Sequence, residues 1–184
     1  DQGYKPLPEI MIPLVVNVRE IRLITEIIDK SIREVSQAKT VSVPYKIGTM
    51  METPRATLGA NRLATEVEFM SFGTNDLTQM TYGFSRDDAG KFIPQYLKKK
   101  LVDADPFISL DTRAVGRLME IAVNESRARK KGIKYGICGE HGGDPRSIRF
   151  CHELGLDYVS CSPYRVPIAR IAAAQANVGF EPND

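Results

Sequence analysis

The 184 residues, 42% hydrophobic and 26% charged, are enough for one domain with a sizeable core. The 25 basic and 23 acidic residues leave a net charge of +2, which gives no electrostatic footprint for nucleic acid. Lys98, Lys99 and Lys100, the densest basic run, read as a solvated face because no stacking aromatics accompany them. The longest apolar run, residues 10–16, contains Pro13 and is too short to span a bilayer, so no membrane partner is expected. Cys138, Cys151 and Cys161 lack CxxC spacing. That argues against a disulfide framework or structural zinc and suits a reducing compartment, cytoplasmic or organellar, over secretion. The N-terminus has no signal-peptide character and no initiator Met, as expected of a segment from a longer protein.

Residues 9–16 read as a first strand, apolar and β-branched. Asn17 with Glu20 predicts a capping box. Ile21, Ile24, Ile28, Ile32 and Val35 then form the buried stripe of an amphipathic helix. A second strand over 41–48 leads through Thr49-Met50-Met51-Glu52 to a helix with Pro54 just inside its start. The third strand carries Val67, Phe69, Met70 and Phe72, and ends in Gly73-Thr74-Asn75-Asp76. A long connection is expected over 77–110, with a short helical piece near 95–99; loops of that length are usually functional or disordered. Ser109 or Asp111 then caps a helix carrying Val115, Leu118, Met119 and Ala122, stopped by Gly132. Strand four spans 134–138. The turn 139–143 leads to Asp144 as N-cap and Pro145 at the first helical position, with the helix ending at Gly155. Strand five spans 157–161, and Pro167 opens a last helix to about Gln175.

This alternation predicts an α/β fold, a parallel sheet with helices outside. Five strands can complete an open doubly wound sheet, whereas a (β/α) barrel needs eight. Three groups fall at C-terminal strand ends, where α/β barrels carry their chemistry: Glu52, Asp76 and Cys138. Two carboxylates from neighbouring strands suit Mg²⁺, which completes its octahedron with water and substrate oxygens. The competing reading makes them helix starters that favour the dipole. Cys138 is either an inert buried thiol or an acid or nucleophile beside a Gly-rich turn. His141 is expected to bond to the backbone of that turn, and His152 to pack or face water.

The stretch 68–79, EFMSFGTNDLTQ, resembles the signature of the phosphoenolpyruvate-utilising enzymes. Residues 84–92, 136–145 and 159–167 resemble one member of that family closely, and the likeness runs over about 9–176. The resemblance implies the C-terminal part, about five βα units, of a (β/α)8 TIM-type barrel that binds phosphoenolpyruvate and pyruvate. The whole of 1–184 would be a single partial domain. Glu52 and Asp76 would hold Mg²⁺; Glu52, Gly73, Thr74, Asn75 and Asp76 would line the substrate site; Cys138 would be the acid/base at the substrate's methylene carbon. The implied reaction interconverts ATP, phosphate and pyruvate with AMP, diphosphate and phosphoenolpyruvate through a phosphohistidine. Neither His141 nor His152 matches the phosphohistidine context. That histidine, the ATP-binding domain and the substrate-clamping arginines would belong to missing N-terminal parts of a larger, homodimeric enzyme. Two alternatives are a fragment of a phosphoenolpyruvate synthase or of the sugar-phosphotransferase first enzyme. A third is a non-catalytic half-barrel that pairs with another chain through its open edges.

Overall fold

The computed structural model describes residues 3–179. Strand β1 (Glu9–Ile12) is shorter than the expected 9–16. Pro13 has no N–H for the ladder, and Leu14 turns into the left-handed region at φ 52°. The capping box is present: Asn17 Oδ1 accepts the Arg19 N–H at 2.8 Å, and Glu20 Oε2 accepts the Asn17 N–H at 3.0 Å. It opens helix α1 (Val18–Lys39), whose Ile21 is buried and whose Ile24 and Ile28 pack on the core. Val35, expected in that stripe, is exposed. A helix of 22 residues runs about 33 Å against a strand of 4, so its last turns pass the sheet.

Strand β2 (Lys46–Met50) begins later than expected, after Pro44; its first bond runs from the Lys46 N–H to the Pro8 carbonyl at 3.0 Å. Thr53 caps α2 (Pro54–Leu58) through the Ala56 N–H, and α3 (Ala60–Leu63) leads to β3 (Phe69–Gly73), where all five residues are buried. The expected connection over 77–110 instead carries two helices over about half its length. Helix α4 (Thr74–Tyr82) starts directly from β3, and α5 (Ala89–Lys98) contains Pro94. Both are weak in sequence: α4 is rich in Thr, Asn and Asp, and α5 carries Gly90 and Pro94, all poor helix formers. Burial of Leu77 and Ile93 holds them in place.

Helix α6 (Val115–Arg129) has no side-chain cap. Asp111 accepts the N–H groups of Arg113 and Ala114 in the turn before it, and Ser109 donates to Asp144. Strand β4 (Lys134–Cys138) is as expected, and so is the start of α7 (Pro145–Glu153), where Asp144 accepts the Ser147 N–H at 3.0 Å. Between them lies a 3₁₀ turn (Glu140–Gly143). Strand β5 (Tyr158–Val159) is only two residues long, and α8 is Val166–Asn177.

The five strands are all parallel and ordered β1-β2-β3-β4-β5. A doubly wound sheet reverses direction at a switch point; a sequential order with right-handed crossovers puts every helix on one face. This is the barrel succession, with β1 and β5 as edges among the described residues. The outer face buries Ile47, Met51, Met70, Phe72, Tyr135 and Ile137 with helix residues such as Leu63, Met119 and Val123.

The inner face is layered by register. Above the Glu9–Lys46 pair, one row is Met11, Gly48, Phe69 and Lys134; the next is Met50, Ser71, Gly136 and Tyr158. The Phe69 ring fills the space over Gly48, and the Tyr158 ring fills that over Gly136. Lys134 Nζ lies 5.6 Å and 5.2 Å from those two ring centroids and bonds to Glu9 at 2.6 Å. Gly136→Ala is therefore expected to cost about 1–3 kcal/mol of overpacking. Denaturant melts should show it, and the cost should shrink in a Tyr158→Ala background, where the obstructing ring is gone.

Candidate functional site

The third row of the inner face brings together residues far apart in sequence. Gly73 pairs with Cys138 across β3 and β4, and the Met51 N–H bonds to the Ser71 carbonyl at 2.7 Å, which carries Glu52 level with Gly73. Asp76 follows in the first turn of α4. Gly73 is the N-cap of that helix, and no side chain caps it, so Asp76 is not acting as a cap.

Glu52 is only 2% exposed. Its Oε1 accepts the Leu14 N–H at 2.6 Å, from a residue with a left-handed backbone. Burial raises the Glu52 pKa above its ordinary 4.5; the Leu14 N–H opposes this, and the nearby Asp76 carboxylate adds to it. Gly73 makes that approach possible. A Cβ there would lie 2.8 Å from Glu52 Cβ and from Met50 Cε and would also strike the carboxylate. Gly73→Ala is expected to push Glu52 out of place at a stability loss of about 1–3 kcal/mol, measured by denaturant melts.

Two converging like-charged carboxylates form a hard-oxygen donor set that fits Mg²⁺, and their mutual repulsion favours a cation between them. Among the described residues no group of three or more His, Cys, Asp or Glu side chains is arranged to hold a metal ion, so the protein would offer the two carboxylates alone. Water and substrate oxygens would complete an octahedron, as Mg²⁺ commonly requires.

Cys138 stands in the same row, and its thiol lies 3.6 Å from the Phe72 carbonyl. Burial pushes its pKa above 9.0; the Ser71 hydroxyl opposes the rise, and Glu52 and Asp76 add to it. Ser71 has no conventional hydrogen-bond partner although its hydroxyl is fully buried. Its signal in the sequence is slight: a lone hydroxyl in a strand otherwise wholly apolar, two residues below Gly73 and so on the same face. Leu14 had no signal, because only folding brings its amide to Glu52.

Asn75 reaches the turn after β4, where its Oδ1 accepts the Glu140 N–H at 3.4 Å. Gly139, at φ 96°, leaves room for this: a Cβ there would meet Asn75 Nδ2 at 2.9 Å. With its oxygen so engaged, the Asn75 amide presents N–H donors. Thr74 and His141 are fully buried. His141 does bond to backbone, but to the Pro106 carbonyl rather than within its own turn; His152 is exposed on α7. Cys138, Cys151 and Cys161 are all free thiols. No helix among the described residues is long and apolar enough to cross a membrane.

Comparison with known proteins identifies the family of the chain. Residues 5–178 match the family "PEP-utilising enzyme, PEP-binding domain", where PEP is phosphoenolpyruvate. The chain is 56% identical over 176 residues to a pyruvate, phosphate dikinase of Clostridium symbiosum, covering 96% of this chain and 20% of the relative. It is 56% identical to pyruvate, phosphate dikinase 1, chloroplastic, of Arabidopsis thaliana, over 97% of this chain and 18% of that protein. To the Rhizobium meliloti (strain 1021) pyruvate, phosphate dikinase it is 54% identical, over 97% and 20%. The chain thus spans about a fifth of the length of these curated relatives. A solved structure of a citrate lyase from Burkholderia xenovorans LB400 matches with TM-score 0.61 at 18% identity, over 96% of this chain and 56% of that one. That likeness concerns the fold alone. With a family match over nearly its whole length, this chain belongs to the PEP-utilising enzymes and corresponds to their PEP-binding domain.

Proposed function

We propose that this chain is the pyruvate- and phosphoenolpyruvate-binding part of a pyruvate, phosphate dikinase. The parent reaction would convert ATP, pyruvate and phosphate to AMP, phosphoenolpyruvate and diphosphate through a phosphohistidine on another part of the enzyme. The observation that carries this reading is the convergence of Glu52, Asp76 and Cys138 at the C-terminal ends of three adjacent strands.

Glu52 and Asp76 would hold Mg²⁺, which when bound supplies charge stabilisation to the enolate and carboxylate oxygens of the substrate. The Asn75 amide donates toward the substrate, because its oxygen is tied to Glu140. The backbone N–H groups of Thr74 and Asn75, at the uncapped start of α4, face the same edge. Cys138 would donate its proton to the methylene carbon in one direction and remove a methyl proton from pyruvate in the other. Its raised pKa keeps it a thiol near neutrality, as the donating direction needs.

The parent enzyme would be a homodimer in a reducing compartment, with ATP-binding and phosphohistidine domains outside this chain. Without the arginines implied for the missing units, the isolated chain would bind pyruvate weakly and complete no turnover. The experiment is pyruvate methyl-proton exchange in D₂O, followed by NMR at high pyruvate. Exchange that needs Mg²⁺ and stops with EDTA is expected; exchange indifferent to both would remove the enolate reading. A fragment of a phosphoenolpyruvate synthase or of the sugar-phosphotransferase first enzyme would share this chemistry, and the dikinase relatives at 54–56% identity favour the first reading. A non-catalytic half-barrel would instead show no exchange and a stable oligomer by mass measurement.

A further inference from the structure

His141 joins three segments at the edge of the candidate site. Its ring is fully buried, with Nε2 2.8 Å from the Pro106 carbonyl and Nδ1 2.7 Å from Thr74 Oγ1. A carbonyl only accepts, so Nε2 carries the proton. The neutral ring then leaves a lone pair on Nδ1, and the Thr74 hydroxyl donates to it. That hydroxyl also lies 3.2 Å from the Cys138 carbonyl, but its one proton serves a single acceptor.

We propose that His141 is a positioning residue: it turns the Thr74 hydroxyl away from the ligand and ties the 105–110 segment to the start of α4. Thr74 then offers a ligand its backbone N–H and not its side chain. The segment is held at two further points, Ser109 Oγ to Asp144 Oδ2 at 3.0 Å and the Leu110 N–H to Ser147 Oγ at 3.0 Å. His141 is the link from there to the β3 end, because Thr74 directly follows Gly73. Burial lowers the His141 pKa from 6.5 and outweighs the Pro106 carbonyl and the acidic groups that face the ring, Asp144, Glu140 and Asp105. What the positioned edge binds rests on the proposed function. The lock itself is read without metal or substrate, so its failure and a failed enolate chemistry give different results.

The test is ¹⁵N NMR of the histidine rings in the 184-residue chain. There are only two histidines, and His152→Gln assigns them. The expected result is one Nε2–H tautomer for the neutral His141 ring at pH 8. Thr74→Val should shift the Nδ1 resonance and speed amide exchange in both 74–76 and 105–110 by roughly five- to tenfold, the loss of about one net hydrogen bond. Thr74→Ser should restore both. An Nδ1–H tautomer in the wild-type chain would overturn the proposal whether or not any variant folds. So would a Thr74→Val chain whose His141 resonances and 105–110 exchange stay unchanged.

Discussion

Cys138→Ala is expected to lower Mg²⁺-dependent pyruvate proton exchange by about 10²–10⁴-fold, the usual contribution of a positioned acid or base. The fold should survive, because the thiol's polar contacts are weak, a 3.6 Å approach to the Phe72 carbonyl and the neighbouring Ser71 hydroxyl, and a small cavity is left. The pH profile separates a chemical role from a structural one. Burial and the two carboxylates hold the Cys138 pKa above 9.0 despite Ser71. A group so placed stays protonated near neutrality and is a scarce base. Removal of the pyruvate methyl proton needs the thiolate, so wild-type exchange should climb with pH, while any residual Cys138→Ala exchange should lack that rise. Cys138→Ser should not rescue, since an alcohol gives up its proton far less readily than a thiol. Exchange at wild-type rate in Cys138→Ala would end the assignment.

Glu52→Gln should have opposite effects on stability and on cation binding. The amide keeps an oxygen for the Leu14 N–H and removes one of two repelling charges. In EDTA at pH 7 the variant is expected to melt about 2–4 °C higher, the scale of a 1 kcal/mol change in a domain of this size. Stabilisation by millimolar Mg²⁺, present in the wild type through binding to the folded state, should vanish. Asp76→Asn should likewise abolish the Mg²⁺ response. The sign with pH follows from linkage. The folded state holds the Glu52 proton more tightly than the unfolded state, whose value is near 4.5, so metal-free wild type loses stability as pH rises from 4.5 through the raised folded value. Glu52→Gln should flatten that slope. A variant that melts lower in EDTA, or keeps the Mg²⁺ response, would remove the two-carboxylate site.

The local sequence already held much of the architecture. The capping box of Asn17 and Glu20, the Asp144-Pro145 helix start and the apolar run into Gly73 are signals read within a few residues, and all three form as expected. Five alternating strands and helices followed from periodicity, because side chains repeat every two residues in a strand and every 3.6 in a helix. Where local preference was weak, packing decided: α4 and α5 form from Thr-, Gly- and Pro-bearing segments because Leu77 and Ile93 are buried there. Strand order lay equally out of reach, since hydrophobic alternation does not say which neighbour a strand pairs with; only the sequential order separates the barrel succession from the doubly wound sheet.

The site divides along the same line. That Glu52, Asp76 and Cys138 sit at strand ends was legible from residue type and position. Whether Asp76 caps its helix depends on where the helix begins, and it begins at Thr74 with Gly73 as an uncapped N-cap. The Leu14 amide on Glu52, the Ser71 hydroxyl beside Cys138 and the His141 link to Thr74 and Pro106 join residues between 35 and 67 positions apart. Contacts at such separations are made by the register of parallel strands and the return of each helix, and no window of sequence contains them.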